Sequence, residues 1–410
     1  MKVVFVSYGR FDSNSGGHIA RFAAGLAGRG HAVAVFAEGD PAGARDFGVS
    51  GFAAFPRRAL QESPARALAF DGRGPEGELV VHAWTPREAV RGVVHRVRRH
   101  APREHRLVVH LEDDETLLTA AQLGRSWAQL SALAPGELDP LVRPSLSHPH
   151  RMASFLAEAD GVTAIVPPLF ELAPAEPARH LLQPGADLAE IGPPLRHDQR
   201  AELLSRLGVP VWHRIVAYPG NLHPANRREM FSLYVAVHVL RRRGWGVTLL
   251  RTGDDYGPGL DVAFQHLRGE VSRELGRLPR REMLAVLKLA DVLVQPGAPD
   301  TFNQRRLPSK LPEFLATGIP VVLPRANLGL LLADGREAVA LDAGHGLEIA
   351  DKVDALFREP ERAAAIGAAG RAFALRRLDW ERAVAGLEGF YAALLQRPSR
   401  TAAPAPVMAA

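Results

Sequence analysis

Short, nearly continuous apolar runs recur along both halves of the chain, each separated from the next by a stretch with helical spacing. In the first half they are Val3–Ser7, His31–Ala37, Leu79–Ala83, Arg106–Leu111 and Gly161–Val166. Strands that are apolar on both faces belong in a parallel sheet covered by helices on each side. Between the first two runs, Gly16-Gly17-His18 opens a helix with Ile19, Phe22, Ala23 and Leu26 on one face, and Gly28, Arg29 and Gly30 end it. The second half repeats the pattern, with strands at Arg214–Tyr218, Val247–Thr252, Val292–Gln295 and Val321–Leu323. Its helices are Asn226–Arg243, Arg280–Leu289 and Leu311–Thr317, and Pro360–Leu375 and Asp379–Leu395 close the chain. A connecting region runs from about Leu181 to Val209, and Arg397–Ala410 has the Pro, Ala and Ser content of a disordered tail. At 410 residues the chain suits two domains better than one core. The expected fold is α/β, with two doubly wound parallel-sheet domains whose strand carboxyl ends face a central cleft.

The stretch from Phe302 to Val322 carries the most chemistry. It reads as a polar loop, a helix with Ser309 as N-cap and Pro312 in its first turn, a stop at Gly318 and Pro320, and a buried strand. The loop would deliver Arg305, Arg306 and Lys310 to the positive end of that helix, a site for a phosphate or diphosphate.

Other segments have two readings each. Nine residues separate Ser7 from Gly17 without a G-x-G-x-x-G turn, so Gly16 and Gly17 belong to a loop reaching a cleft or to a plain flexible turn. After the strand at Arg214, Gly220 permits close approach of a ligand, and Arg227 reaches a phosphate or joins Arg228 on a solvated helix face. His82, His110 and Glu112-Asp113-Asp114-Glu115 follow strands of the first half. There His110 lines the cleft or is a satisfied strand histidine, and the acids hold a divalent metal or start a helix. Gly253-Asp254-Asp255 is a weak signal, and a turn explains it. The basic residues between Arg87 and Arg106, His95, Arg98, Arg99 and Arg103 among them, form one face of an amphipathic helix suited to anionic lipid or to water.

Composition narrows the functional class. The chain has no cysteine, which excludes disulfides, thiolate zinc sites and cysteine nucleophiles. Its net charge of +5 permits acidic substrates or an anionic membrane surface and does not indicate nucleic acid. No run of about 18 apolar residues is present, and Met1–Ser7 reads as a first strand and not as a signal peptide, so the expected location is cytoplasmic, with the inner face of the membrane as an option.

In order and spacing these segments resemble the retaining GT-B glycosyltransferases of family four over nearly the whole chain. Gly16-Gly17-His18 with Leu26, Arg29, Gly30, His31 and Val33 resembles the family's acceptor-side loop and helix. Gln183-Pro184-Gly185-Ala186-Asp187 resembles its interdomain stretch. Arg277-Leu278-Pro279 with Ala290–Pro296 resembles the segment near the nucleotide base, and Pro308–Val322 the end of the donor site. The resemblance implies an acceptor-side domain at 1–190, a donor domain at 191–378, a closing helix at 379–396 packing back on the first domain, and a tail at 397–410. It implies transfer of a sugar from a nucleotide-diphosphate sugar, with no cofactor and no metal required. Donor contacts would come from Gly220, Asn221, Arg227, Leu278, Asn303, Ser309, Lys310, Leu311 and Glu313. Glu313 would hold the ribose and stand free of any capping role, since Pro312 would fill the third helical position. Lys310, Arg305 and His110 would serve catalysis, and Gly16, Gly17, His18, Glu112 and Asp113 the acceptor.

The sequence also departs from the family. Arg305 stands where the first acid of its E-x(7)-E pattern belongs, and Asn221 and Asn226 where it has its phosphate-binding pair. Those departures motivate an alternative on the same fold, a non-catalytic sugar-nucleotide or glycan-binding protein, and a further alternative is an enzyme of another reaction class on this fold, such as a sugar-nucleotide epimerase or a phosphorylase.

Overall fold

The computed structural model describes residues 1–72, 77–102, 105–256 and 262–400. The chain divides into two compact units, Met1–Pro184 together with the segment from Trp380 onward, and Gly185–Asp379. The first boundary lies a few residues before the one read from sequence. Ala186 N–H donates to Leu378 O at 2.8 Å, which ties the entering and leaving segments together inside the second unit.

The first unit holds a seven-stranded sheet in the order β3-β2-β1-β4-β5-β6-β7. The strands are β1 (Lys2–Arg10), β2 (Ala32–Glu38), β3 (Ala53–Pro56), β4 (Leu79–Trp84), β5 (Arg106–Leu111), β6 (Gly161–Ala164) and β7 (Ala178–Leu181). All neighbours pair parallel. The strand order reverses at β1, so β1 and β4 flank the switch point where such sheets take ligands. Helix Trp380–Leu395 belongs to this unit and buries Val384, Leu387, Tyr391 and Leu394 in the core with Phe22 and Leu26.

The second unit holds a six-stranded sheet in the order β10-β9-β8-β11-β12-β13. Its strands are β8 (Arg214–Pro219), β9 (Val247–Thr252), β10 (Ser272–Glu274), β11 (Val292–Val294), β12 (Val321–Pro324) and β13 (Val339–Leu341). They too are parallel, and here β8 and β11 flank the switch point.

The sequence reading missed β3, β7, β10 and β13, which are the four edge strands. They run three or four residues each, too short to stand out as apolar runs, and β3, β7 and β10 are only partly buried. The connecting region is also not bare, since it contains helices Leu188–Ile191, capped by Asp187, and His197–Arg206.

Three further expectations are corrected. Gly16 and Gly17 are inside a helix, not in a loop before it. β1 continues to Arg10, Ser13 caps the helix by accepting from Gly16 N–H, and the helix spans Asn14–Gly28. A Cβ on Gly16 would sit 2.1 Å from Phe11 O, so the glycine allows the strand to turn directly into the helix. Ser309 is not an N-cap. Lys310 takes that position without a side-chain capping bond, and Leu311, Pro312 and Glu313 are the first three residues of a helix that ends at Ala316. A helix this short, with Leu311 N–H already donated to Pro308 O at 3.0 Å, does not supply the free helix end expected there. The start of the tail is ordered. Ser399 Oγ donates to His105 O at 3.1 Å and Arg400 N–H to Asp160 Oδ1 at 2.7 Å, while 401–410 lie outside the described residues.

Candidate functional sites in the two units

In the second unit the carboxyl end of β8 runs Tyr218, Pro219, Gly220. Lys310 lies directly over it. Its ammonium donates to Tyr218 Oη at 3.1 Å and sits 4.4 Å from the centre of the Tyr218 ring. A Cβ on Gly220 would come within 2.6 Å of Lys310 Nζ, so only glycine leaves the lysine this position. The next loop contributes His223, stacked on Tyr256 with ring centres 4.9 Å apart. Burial pulls the His223 pKa down, and the nearby Lys310 and Arg306 charges pull it further. Lys310 thus brings its charge to a strand end at the switch point, with His223 beside it as a ring whose charging is disfavoured, an arrangement suited to an anion.

The asparagines of this region have other work. Asn221 Oδ1 accepts from Asp254 N–H at 2.8 Å. Asn226 accepts from His223 N–H at 2.7 Å and donates to Asn221 O at 3.0 Å. Both hold the loop in shape. Asn303 is fully buried, donates to Glu229 Oε1 at 2.8 Å and accepts from Arg306 at 2.7 Å. Arg306 in turn pairs with Glu229 at 2.9 Å, so its charge is largely spent inside the unit. Arg305 ends the short helix Thr301–Gln304 and is itself partnered. Arg227 is the first residue of helix Arg227–Arg242 and also partnered. Leu278 and Ser309 are half-buried in loops, and Leu311 is fully buried.

Glu313 is not free, contrary to the sequence reading. Its Oε1 accepts from Arg280 Nη2 at 2.6 Å, and Arg280 also reaches Glu190 at 2.8 Å. Burial disfavours the Arg280 charge, but these two carboxylates outweigh it and hold the guanidinium protonated. The Glu313 Oε2 remains for another donor.

In the first unit the acidic run is divided among separate tasks. Glu112 accepts from Ser15 Oγ at 2.5 Å and from His18 Nδ1 at 3.2 Å. Burial opposes its charge, yet the bonds from His18 and Ser15 and the nearby histidines bring its pKa down to about 2. His18 Nδ1–H faces the carboxylate, so Nε2 is left as an acceptor, the geometry of a base oriented by an acid. Asp114 caps helix Glu115–Leu123 through Thr116 and Leu117 N–H, Glu115 pairs with Arg87 at 3.0 Å, and Asp113 is half-buried and partnered. Among the described residues no cluster has metal-ligand geometry.

His110 is buried at the end of β5. Its Nδ1 shares a hydrogen bond with Thr163 Oγ1 at 2.9 Å, and burial drives its pKa down to about 3, so it stays neutral. Gly16 and Gly17 shape the helix that carries Ser15 and His18. The basic helix Glu88–Arg98 is partly neutralised, since Arg91 pairs with Glu88 at 2.7 Å and Arg98 with Glu158 at 2.5 Å. Arg103, counted with this cluster, lies outside the described residues.

Sequence reading missed Ser15, Tyr218, Glu229 and Arg280. Ser15 and Tyr218 were findable, because each lies within two residues of a singled-out glycine. Nothing local marks Glu229 or Arg280, whose partners lie 77 and 33 positions away.

Comparison with known proteins agrees with this architecture. A family model described as glycosyl transferase-like matches residues 234–389. A D-inositol 3-phosphate glycosyltransferase of Xylanimonas cellulosilytica is 30% identical over 231 residues, 54% of this chain and 53% of that protein. The chain therefore spans about half the length of this curated relative. Anabaena HepE, solved in complex with UDP-glucose, superposes with a TM-score of 0.68 at 15% identity, covering 96% of this chain and 100% of that one. Sucrose-phosphate synthase from Thermosynechococcus elongatus gives 0.67 at 15% identity, covering 96% and 99%. At these identities the structures speak to the fold, which is GT-B. The two sequence matches are likewise to a glycosyl transferase-like family model and to a glycosyltransferase, each over part of the chain.

Proposed function

We propose that the protein is a retaining glycosyltransferase that moves a sugar from a nucleoside-diphosphate sugar to a hydroxyl acceptor. The observation that carries this reading is Lys310 held over Gly220 at the β8 switch point, with His223 and Arg306 beside it. The lysine binds the diphosphate and stabilises the negative charge that grows on it as the bond from sugar carbon to phosphate oxygen breaks. The acceptor oxygen forms the new bond on the same face, and its proton passes to the departing phosphate oxygen. Arg305, from the loop before Lys310, adds positive charge on the donor side, Glu313 Oε2 accepts from the ribose, and Arg280 fixes the Glu313 carboxylate. In the first unit His18, oriented by Glu112, offers Nε2 as an acceptor to a hydroxyl other than the one that reacts.

Two similar proteins support the choice of substrates to try. HepE was solved with UDP-glucose, and the curated relative is named for D-inositol 3-phosphate. The decisive experiment presents UDP-, GDP-, ADP- and dTDP-sugars, with and without D-inositol 3-phosphate and other polyols, and reads nucleoside diphosphate release and thermal shift. Acceptor-dependent release from one donor is expected. Binding without release would favour a non-catalytic binding protein, conversion of the sugar nucleotide without an acceptor would favour an epimerase, and no binding at all would reject the reading.

A cytoplasmic location at the inner face of the membrane is the finer part of this reading. It rests on exposed Arg99 and His100 at the end of helix Glu88–Arg98. Co-sedimentation with phosphatidylglycerol vesicles but not with phosphatidylcholine vesicles is the expected result, and equal recovery with both would reject it.

A further inference from the structure

A chain of hydrogen bonds crosses the core of the first unit from its last helix to the end of β5. Tyr391 Oη lies 2.6 Å from His82 Nδ1, His82 Nε2 lies 3.1 Å from Thr163 Oγ1, and the same Thr163 Oγ1 lies 2.9 Å from His110 Nδ1. Tyr391, His82 and Thr163 are fully buried and His110 nearly so. At the far end, His110 Nε2 has no hydrogen-bond partner among the described residues.

Counting protons orders this chain. Burial keeps both histidines neutral and the phenol protonated, so each of the four side chains carries one mobile proton. The chain contains three contacts, each needing one proton, which leaves one over. If the bonds ran from His110 toward Tyr391, the spare proton would be the phenol's, buried in the apolar core against Val384, Leu387 and Leu394. If Thr163 accepted from both histidines, its own hydroxyl proton would be stranded between strands. Either costs the full desolvation of a polar group in a place no ligand reaches. Run from Tyr391 outward, the spare proton sits on His110 Nε2.

That end differs from the others. Trp84 Nε1 and Thr85 Oγ1 are also buried without partners, and the Trp84 and His110 rings are 4.1 Å apart. Thr85 has φ of +84°, which is rare and strained for a β-branched residue, and its N–H donates to His110 O at 3.1 Å. Three unpartnered polar groups and one strained backbone therefore gather where β4 and β5 end, next to the switch point.

We infer that Tyr391, His82 and Thr163 are positioning residues that lock His110 in the tautomer with its proton on Nε2, so that His110, with Trp84 and Thr85, meets a ligand oxygen as a hydrogen-bond donor. The ligand half of this inference, an oxygen-rich group such as a sugar hydroxyl, rests on the proposed function. The tautomer half does not.

The test is nitrogen NMR of the full chain labelled at histidine, with the His110 signals assigned by their loss in His110→Asn. The wild type should show Nε2 protonated and Nδ1 bare. Tyr391→Phe keeps the ring and removes the terminal donor, and the ratio of the two tautomers should fall about fivefold, the worth of one net hydrogen bond. Thr163→Val disconnects His110 from the chain and should leave a mixture. It gives the same readout if Tyr391→Phe fails to fold. A proton on Nδ1 in the wild type, or an unchanged ratio in the variants, would overturn the inference. Failure to bind any sugar nucleotide would reject the proposed function and leave this readout standing.

Discussion

Arg280 Nη2 lies 2.6 Å from Glu313 Oε1 and fixes one oxygen of the carboxylate that the sequence had left unpartnered. Both residues are only partly exposed, so this contact is worth more than a surface ion pair. Arg280→Ala should weaken nucleoside diphosphate-sugar binding about fivefold, less than the loss of a direct charge-assisted bond, because the arginine does not itself touch the ligand. Glu313→Ala should weaken it more, and the double variant should match Glu313→Ala, because the arginine acts through the glutamate. Calorimetric titration of the three variants measures this, and additive losses would show that Arg280 touches the ligand independently.

Gly220 and Lys310 make a second pair. Because a Cβ at 220 would fall 2.6 Å from Lys310 Nζ, Gly220→Ala should displace the ammonium without altering its charge. Its donor affinity should drop at least tenfold, comparable to the loss of a hydrogen bond to a charged group. Unchanged affinity in Gly220→Ala would mean that the lysine reaches its ligand from some other position.

Glu112 ties stability to pH. Its pKa is lowered from 4.5 to about 2 in the folded chain. A lowered carboxylate pKa adds stability that is present above the unfolded value and is lost as pH falls through the folded one. The stability gap between wild type and Glu112→Gln should therefore be full above about pH 4.5 and close toward about pH 2. Denaturant melts at a series of pH values give the gap, and a constant gap would contradict the strong coupling to Ser15 and His18.

Two glycines of one helix should respond oppositely. Gly16→Ala forces a Cβ against Phe11 O and should destabilise the first unit by about 3 kcal/mol. Gly28→Ala, where nothing lies within 4 Å, should be neutral or stabilise by up to about 1 kcal/mol. Thermal unfolding separates them, and equal effects would contradict the tight turn from strand to helix.

The interior of both sheets was legible in the sequence because buried parallel strands announce themselves as continuous apolar runs. Arg106–Leu111, Val247–Thr252 and helix Arg280–Leu289 fall where the pattern put them. The edge strands were not legible because their runs are short, and β3, β7 and β10 are also only partly buried. At the site, glycine and lysine positions could be read, since Gly220 and Lys310 carry local signals. The pairings could not. Arg280 with Glu313, Glu229 with Arg306, and Tyr391 with His82 join residues far apart in the chain, and no local pattern encodes such contacts. Asn221 and Asn226 show the converse, since polar residues beside a ligand-type glycine turn out to bind their own loop.

The most direct measurement is calorimetric titration of the wild type and Lys310→Ala with UDP, GDP, ADP and dTDP. The wild type should bind one of the four, and Lys310→Ala should bind it about 10- to 100-fold more weakly, the loss expected for a charged hydrogen bond to phosphate. Equal affinity in the two proteins, or no affinity for any of the four in the wild type, would contradict a diphosphate site at Lys310.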